Sequence, residues 1–218
     1  MKTLLINAHP DYLNPAHFSL KLQTLFLKKF AEEFPHETAT VLNLYETQIP
    51  RITPGELQTI WTKQAEGLPL ASQEKVVAQT SQNLLAQFKN HQRIVIVSPL
   101  HNFNITSALK DYLDNILIAR ETFRYLDAPD ENGKVSVGLM KNNYRMLLLF
   151  ASGSLYTENT IYRTLDFAPN YLKSMFQEIM GFDQVAIVRA EGTAVLPEET
   201  ILSKASLELT NAFQSFYR

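Results

Sequence analysis

The sequence has no cysteine among its 218 residues. This absence excludes disulfide bonds, thiolate metal sites and a cysteine nucleophile, and it fits the cytoplasmic location that we expect. An excess of one charge is also missing, because 20 lysines and arginines stand against 22 aspartates and glutamates. The composition therefore gives no electrostatic reason to expect a nucleic acid or an anionic membrane as a partner.

Long apolar runs and several common motifs are absent as well. No run approaches the about 20 residues that span a bilayer, and the apolar stretch at the N-terminus is too short for a signal peptide. Neither GxGxxG nor GxxxxGK[ST] occurs, which argues against a dinucleotide fingerprint or a P-loop. The five histidines lack metal-ligand spacing such as HExxH, so we expect no metal. A serine hydrolase is not expected either, because Phe150 stands where a GxSxG elbow needs glycine.

Short apolar runs alternate with stretches of helical periodicity along the whole chain. The runs span residues 3–8, 40–44, 94–98, 146–151 and 185–190, and the helical stretches span residues 18–34, 71–89, 106–119, 164–180 and 197–216. Nearly continuous runs rich in Val, Ile and Leu are typical of parallel strands that are covered on both faces. The sequence therefore predicts one α/β domain over residues 1–218, with a flavodoxin-like, doubly wound, five-stranded parallel sheet and helices on both faces.

Two segments interrupt this alternation. Residues 49–70 contain three prolines, two glycines and the only tryptophan, Trp61, and we expect a long excursion with one short helix. Residues 122–138 place two β-prone stretches around a Pro-Asp-Glu-Asn-Gly turn signal, which predicts a hairpin. Such excursions are often lids or interface elements in compact domains.

The most informative segment is RIVIVSPLHNFNITSALK, residues 93–110. A buried strand stops there and a helix follows, at the place where open α/β sheets bind their ligands. The loop has no glycine for a phosphate cradle. Instead, it offers backbone amides from His101, Asn102 and Phe103, the side-chain amide of Asn102 and an aromatic surface. This set suits the edge of a planar heterocycle, and a flavin ring is the leading candidate.

The loop after the first predicted strand leads into a helix at His17-Phe18-Ser19. A helix start favours a phosphate through its free amides and its dipole. A flavin phosphate could be bound there by these amides, the Ser19 hydroxyl and one imidazole, for example that of His9. Equally, Ser19 could simply cap the helix and His9 could be an ordinary polar loop residue.

The loop after the fourth predicted strand contains Ala151, Ser152, Gly153 and Ser154. Gly153 has no Cβ, so the backbone could approach a flat ring closely, and the two serines could donate hydrogen bonds. An ordinary strand-to-loop transition explains the same residues. However, three ligand-facing loops at one edge of a sheet favour a common ligand. By contrast, we interpret the Glu191-Gly192 pair as a turn.

The chain resembles the FMN-dependent NADH-azoreductases, relatives of the NAD(P)H:quinone oxidoreductases with a flavodoxin-like fold. The segment PLHNFNITSALK (99–110) matches the family pattern P-[ML]-[YWH]-N-F-x-[IV]-[PST]-x-x-L-K, while TFRY (122–125), AEG (190–192) and the strand spacing agree over essentially the full chain. The resemblance implies FMN as cofactor and a two-electron ping-pong transfer from NADH via FMN to quinones and azo compounds. It also implies a homodimer with shared active sites.

The resemblance assigns the site residues as follows. The FMN ring would be bound by Leu100, His101, Asn102 and Phe103 on one edge and by Ala151, Ser152, Gly153 and Ser154 on the other, and the ribityl phosphate by His9, His17, Phe18 and Ser19. Two catalytic roles are predicted: Phe123 would lie near the flavin of the partner subunit, and Tyr156 is the candidate proton donor. Many family members have Arg-Gly-Gly where this chain has Ser152-Gly153-Ser154, so its ring contacts are expected to differ.

Two alternative functions stay open at this stage. The first is a flavodoxin-like electron carrier or regulatory flavin-binding module without independent turnover, although the two excursions argue against a minimal carrier. The second is a quinone reductase that uses NADPH and FAD, but nothing in the sequence marks an adenine pocket.

Overall fold

The computed structural model describes residues 2–218. Its strands in chain order are β1 (Thr3–Asn7), β2 (Thr40–Asn43), β3 (Arg93–Pro99), β4 (Phe123–Tyr125), β5 (Ser136–Gly138), β6 (Arg145–Ser152) and β7 (Gln184–Glu191). Its α-helices are α1 (Phe18–Glu33), α2 (Leu57–Ala65), α3 (Ser72–Lys89), α4 (Ser107–Ile116), α5 (Phe167–Lys173) and α6 (Glu198–Tyr217).

Five of the strands form one parallel sheet in the order β2-β1-β3-β6-β7. The strands are in register, so that Asn7 of β1 lies between Asn43 of β2 and Val97 of β3. The strand order reverses its direction at β1, and this reversal opens a crevice at the carboxyl ends of β1 and β3. The predicted flavodoxin-like fold is confirmed.

The core has two layers because the side chains of buried strands alternate between the faces of the sheet. On one face, Ile94 and Ile96 of β3 pack against a cluster that includes Leu113 of α4. On the other face, Val95 of β3 packs against a cluster that includes Phe26 of α1 and Leu209 of α6. Both layers are needed to cover the sheet, which explains why its strands are apolar throughout.

The predicted helix over residues 164–180 starts later than expected, at Phe167, and its last turns, to Ile179, are π-helical. The chain forms a 3₁₀ turn at Ile161–Leu165, then α5, then a π-helical segment at Ser174–Ile179. The break falls at Asp166, whose ψ is 50°. Its carboxylate forms a bidentate ion pair with Arg189, at 3.1 and 2.6 Å. This pairing across the fold overrides the helical periodicity that the sequence shows.

The predicted helix over residues 106–119 is also shorter than expected, because α4 ends at Ile116. The hydroxyl of Thr122 donates to the carbonyl oxygen of Ile116 at 2.7 Å. A side chain thus satisfies a carbonyl group at the helix end, where no intrahelical donor is available.

Neither of the two interrupting segments contributes a strand to the five-stranded sheet. Within residues 49–70, α2 packs against α3, and the side-chain amide of Asn115 donates to Pro50 O at 2.8 Å, which anchors the start of the segment. Strands β4 and β5 pair in an antiparallel hairpin. Helix α4 starts at the carboxyl end of β3 and runs back along the sheet, so the hairpin that follows it lies towards the amino ends of the strands.

Candidate active site

A cleft of about 230 Å³ opens at the carboxyl ends of β1, β3 and β6. Its lining residues are His9, Ala16, His17, Phe18, Ser19, Pro99, Leu100, Ala151, Ser152, Gly153 and Thr193. The structure thus brings together the three loops that the strand pattern places at one edge of the sheet. Ala16, Pro99 and Thr193 were not predicted from the sequence, and Thr193 joins the cleft only because β7 lies beside β6.

Two histidines form the wall of the cleft next to β1. The rings of His9 and His17 stack with their centroids 4.1 Å apart. The Nδ1 atom of His9 accepts a hydrogen bond from the Asp11 amide at 3.0 Å, so a neutral His9 carries its proton on Nε2 and can act as a donor. His17 is held from the other side, because its Nε2 lies 2.8 Å from a carboxylate oxygen of Asp11.

The charges in this wall are tuned by burial and by proximity. Burial, together with the neighbouring His17, lowers the pKa of His9 below its ordinary value of 6.5. Hydrogen bonds from His17 and Asn14 lower the pKa of Asp11. The free protein therefore keeps His9 neutral near pH 7 and keeps Asp11 charged.

The start of α1 provides unused hydrogen-bond donors. The helix begins after His17, whose side chain does not cap it, and its first turn contains no acidic residue. The amides of Phe18 and Ser19 have no acceptor among residues 2–218. Ser19 is only 1% exposed, and its buried hydroxyl group has no hydrogen-bond partner either. A buried hydroxyl without a partner is unfavourable, so this cradle is matched to an anion that the protein does not itself supply.

The loop after β3 forms a tight turn at the rim of the cleft. His101 and Asn104 exchange two backbone hydrogen bonds of 2.9 Å, while Asn102 and Phe103 adopt positive φ angles of 46° and 61°. Two successive positive φ angles define a type I′ turn, in which an aromatic residue is unusual. The phenylalanine ring is also 46% exposed. Backbone strain at an exposed aromatic residue points to a binding role.

The loop after β6 forms the opposite wall. It is joined to the β3 loop by a hydrogen bond of 2.7 Å from Leu100 N to Ala151 O. The Ser152 hydroxyl donates to Ser154 O at 3.1 Å, so it stabilises the turn and has only its lone pairs left for a ligand. A Cβ atom on Gly153 would meet nothing closer than Ala194 Cβ at 3.8 Å. The fold itself therefore does not require glycine there, whereas a ligand lying against the backbone would.

Some predicted residues lie outside the lining of the cleft. His101, Asn102 and Phe103 form the exposed turn at its rim, and Ser154 lies one residue beyond the wall. The ring of Tyr156 is buried against Tyr162, with centroids 5.6 Å apart.

Phe123 is not in the cleft of its own chain. It packs edge-on against Tyr125 within the hairpin, with the ring centroids 5.5 Å apart. The role of Phe123 at a flavin and the role of Tyr156 as a proton donor both stay predictions.

Glu191 binds the loop that follows β6 through its carboxylate, which the sequence did not reveal. It was interpreted as part of a turn, and Gly192 does turn the chain with a φ of 77°. However, the Glu191 carboxylate is buried and accepts hydrogen bonds from the loop that follows β6. The only signal in the sequence was an acidic residue at the end of an apolar strand, where a buried charge needs partners.

Within the part of the chain that the structure describes, no group of histidines and acidic residues could hold a metal ion. None of the helices over residues 2–218 combines the length and the apolar character needed to cross a membrane.

Comparisons with known proteins agree with this architecture. A family described by its flavodoxin-like fold matches residues 1–212. The FMN-dependent NADH:quinone oxidoreductase 1 of Lactiplantibacillus plantarum is 52% identical over 218 residues, which cover 99% of each chain. The FMN-dependent NADH:quinone oxidoreductase of Streptococcus agalactiae is 46% identical and covers 100% of this chain and 99% of its own.

A solved structure extends this similarity to the three-dimensional fold. The FMN-dependent NADH-azoreductase from Bacillus anthracis, crystallised in complex with FMN, superimposes with a TM-score of 0.90 at 42% identity. The superposition covers 100% of this chain and 99% of that one.

Proposed function

The chain belongs to the protein family with the flavodoxin-like fold, and from this membership and the geometry of the cleft we infer that it is an FMN-dependent NADH:quinone oxidoreductase. Azo compounds are further acceptors that we propose for the same site. Its relatives of this activity match nearly its whole length, and it covers 99% of the length of each of them. We also propose that residues 1–218 form a single flavin-binding domain.

The observation that carries the proposal is the unused donor set at the start of α1. The buried Ser19 hydroxyl and the free amides of Phe18 and Ser19 face a cleft that His9 and His17 also line. One phosphate group on a mononucleotide satisfies these donors, because helix starts and imidazole N–H groups bind anions. The residues present therefore fit the phosphate of FMN.

The other walls fit the flat ring of the cofactor. Leu100 and Ala151 provide apolar surface, and Gly153 leaves space beside its backbone. Phe103, in its strained turn, provides an exposed aromatic face at the rim. Because the cleft is open, a planar substrate can reach the ring from solvent.

Bound FMN supplies the two-electron chemistry between NADH and the acceptor. The protein supplies placement. His9 and the start of α1 would hold the anionic end of the cofactor. The turn at residues 101–104 and the wall at residues 151–153 would hold its ring from two sides. Tyr156 stays the predicted proton donor; burial, with Tyr162 and Asp166 nearby, raises its pKa and keeps the phenol protonated.

We propose further that the active form is a homodimer with shared sites. Phe123 lies in the β4–β5 hairpin and is not among the residues that line the cleft of its own chain, so the role at a flavin that we propose for it is at the cleft of a second copy. The same hairpin leaves Tyr125 67% and Val135 55% exposed. An apolar surface of this kind supports an interface with another subunit.

Spectroscopy and kinetics test the enzymatic proposal. Purified protein should be yellow, and chromatography of the flavin released on denaturation should identify FMN rather than FAD. The protein alone should oxidise NADH with menadione as acceptor. A protein that stays colourless after incubation with FMN would refute the cofactor, and flavin binding without NADH oxidation would indicate an electron carrier instead.

Subunit complementation tests the shared site. One variant, Phe123→Ala, keeps an intact cleft; the other, Gly153→Trp, fills the cleft but keeps Phe123. Mixed dimers should regain activity that neither variant has alone, because one cleft is then intact and faces an intact Phe123. A monomer in sedimentation analysis, or no regain on mixing and refolding, would refute the shared site.

A further inference from the structure

The carboxylate of Glu191 lies at a junction between β7 and the wall of the cleft. Glu191 is the last residue of β7 and lies in register with Ser152, the last residue of β6. Its side chain is only 3% exposed. A buried carboxylate must be compensated by hydrogen bonds or by a charge, so its partners indicate what it holds in place.

Those partners belong to the loop that continues the cleft wall. One carboxylate oxygen of Glu191 accepts the amides of Tyr156 and Thr157 at 3.0 and 3.2 Å. The other accepts the Thr157 hydroxyl and lies 3.3 Å from Lys204 Nζ of α6. Lys204 is 56% exposed, so the loop rather than the lysine provides the buried contacts.

The ionisation of Glu191 agrees with this arrangement. Burial by itself would raise the pKa of the carboxyl group, but hydrogen bonds from the Thr157 hydroxyl, the Tyr156 amide, Lys204 and the Thr157 amide together hold it below its usual value. The group is therefore an anion at neutral pH, and its hydrogen bonds to the loop are charge-assisted and strong.

Backbone hydrogen bonds complete the junction. Thr193 N donates to Ser152 O at 3.1 Å, and Ala194 N donates to Gly153 O at 3.1 Å. Ser152, Gly153 and Thr193 all line the cleft. The wall is thus paired with residues 193–194, and the chain just after the wall is tied to Glu191.

A second ion pair on β7 provides a contrast. Arg189 binds Asp166 at the far end of the connection between β6 and α5, and both side chains are well buried, at 11% and 13% exposure. Neither Arg189 nor Asp166 lines the cleft, and the hydrogen bonds of this ion pair do not reach a residue that lines it. If Glu191 only stabilised the fold, replacing Glu191 and replacing Arg189 would have the same effect on the flavin site.

We propose that Glu191 is a positioning residue of the flavin site. It fixes the loop at Tyr156 and Thr157, and the wall at residues 152–153 thereby keeps a shape that fits the edge of the flavin ring. This inference rests on the proposed FMN function. Glu191 acts through the loop and does not touch the cofactor. Loss of its carboxylate should displace the wall, and a displacement of about 1 Å in a positioned group can reduce function about a hundredfold.

The test compares Glu191→Gln with two controls. Glutamine keeps the shape of the side chain but removes the charge that three loop donors share. We expect the FMN dissociation constant of the apoprotein, from quenching of flavin fluorescence, to rise about tenfold to hundredfold. At saturating FMN, the visible circular dichroism of the flavin should also change, because its surroundings change.

The controls separate positioning from stability. Lys204→Met removes the partner of the same carboxylate that is 56% exposed, and it should change the FMN dissociation constant by less than about fivefold because solvent screens the charge of an exposed lysine. Arg189→Met should lower the unfolding temperature but leave the flavin dichroism as in the wild type. A Glu191→Gln protein with normal FMN affinity and normal dichroism would overturn the proposal, whatever its stability.

Thr157→Val keeps the proposal testable if Glu191→Gln does not fold. This variant removes one donor to the carboxylate and should weaken FMN binding in the same direction but to a smaller extent; unchanged affinity would count against the role of Glu191. The two proposals fail differently. If the wild-type apoprotein binds no FMN, the proposed function fails, whereas wild-type affinity in both variants would refute only the positioning role.

Discussion

Replacing Ser19 by alanine separates two effects of one buried hydroxyl. In the free protein the Ser19 Oγ atom is buried without a partner, and protein mutational data put the penalty for such a group at about 1–3 kcal/mol. Alanine removes this penalty and is a better helix former than serine. The FMN-free variant should therefore be at least as stable as the wild type, with an unfolding temperature raised by about 2–4 °C for each kcal/mol gained.

The same substitution should weaken FMN binding. In the complex the hydroxyl would donate to a charged phosphate, and a hydrogen bond to a charged group contributes about 1.5–3 kcal/mol. The dissociation constant should rise roughly 10- to 150-fold, since each 1.4 kcal/mol is tenfold. Flavin fluorescence quenching measures the affinity, and thermal unfolding of the apoprotein measures the stability.

Ser107→Ala is the matched control, because Ser107 is an exposed serine in the first turn of α4 and does not line the cleft. Ser107→Ala should change neither the FMN dissociation constant nor the stability of the apoprotein appreciably. An apoprotein that loses stability on Ser19→Ala would show that the hydroxyl has a partner in the free protein. Unchanged FMN affinity would show that the phosphate does not lie at the start of α1.

Three further predictions test other parts of the site. Gly192→Ala should lower the stability of the apoprotein by about 1–2 kcal/mol, because φ is +77° and the new Cβ would lie 3.0 Å from side-chain atoms of Leu155 and Leu196. Gly153→Ala, in contrast, should leave the stability unchanged and weaken FMN binding. Thermal unfolding and flavin titration measure the two effects, and the reverse pattern would contradict both assignments. The pKa of His9 in the folded state is lowered from 6.5, so as the pH falls the unfolded chain binds a proton at this residue before the folded chain does. The free energy of unfolding of the apoprotein should therefore fall as the pH decreases below about 6.5. Urea unfolding of His9→Gln should lack this pH-dependent loss of stability, and identical pH profiles for the variant and the wild type would refute the assignment. Replacing Asn102 and Phe103 together by leucine should abolish both flavin colour and turnover, whereas a double variant that stays yellow and active would show that the strained turn is not part of the site.

The sequence alone predicted the fold because the fold is encoded in local periodicity. Nearly continuous Val, Ile and Leu runs identify strands buried on both faces, and the alternation with helices determines a parallel sheet. The same logic located the loops after β1, β3 and β6 at one edge, where the cleft lies. The segment of residues 99–110 was informative for a further reason, since its residue types are those that bind a planar ring.

Helix boundaries were less predictable where distant residues decide them. The helix expected from residue 164 begins only after Asp166, which Arg189 binds from β7, and the hydroxyl of Thr122 donates to the last carbonyl oxygen of α4. A hydrophobic pattern gives no information about such partners, because it reports which face is buried and not which polar groups meet.

The sequence by itself determined the sheet, its covering helices and the edge that carries the loops, since these follow from the spacing of apolar residues among near neighbours. Only the tertiary structure decided that Ser19 has no partner, that the rings of His9 and His17 stack, and that Glu191 holds a loop 34 and 35 residues away along the chain. The physical reason is that a buried polar group depends on where its partners lie after packing, and side chains far apart in sequence become neighbours only when the strands that carry them pair.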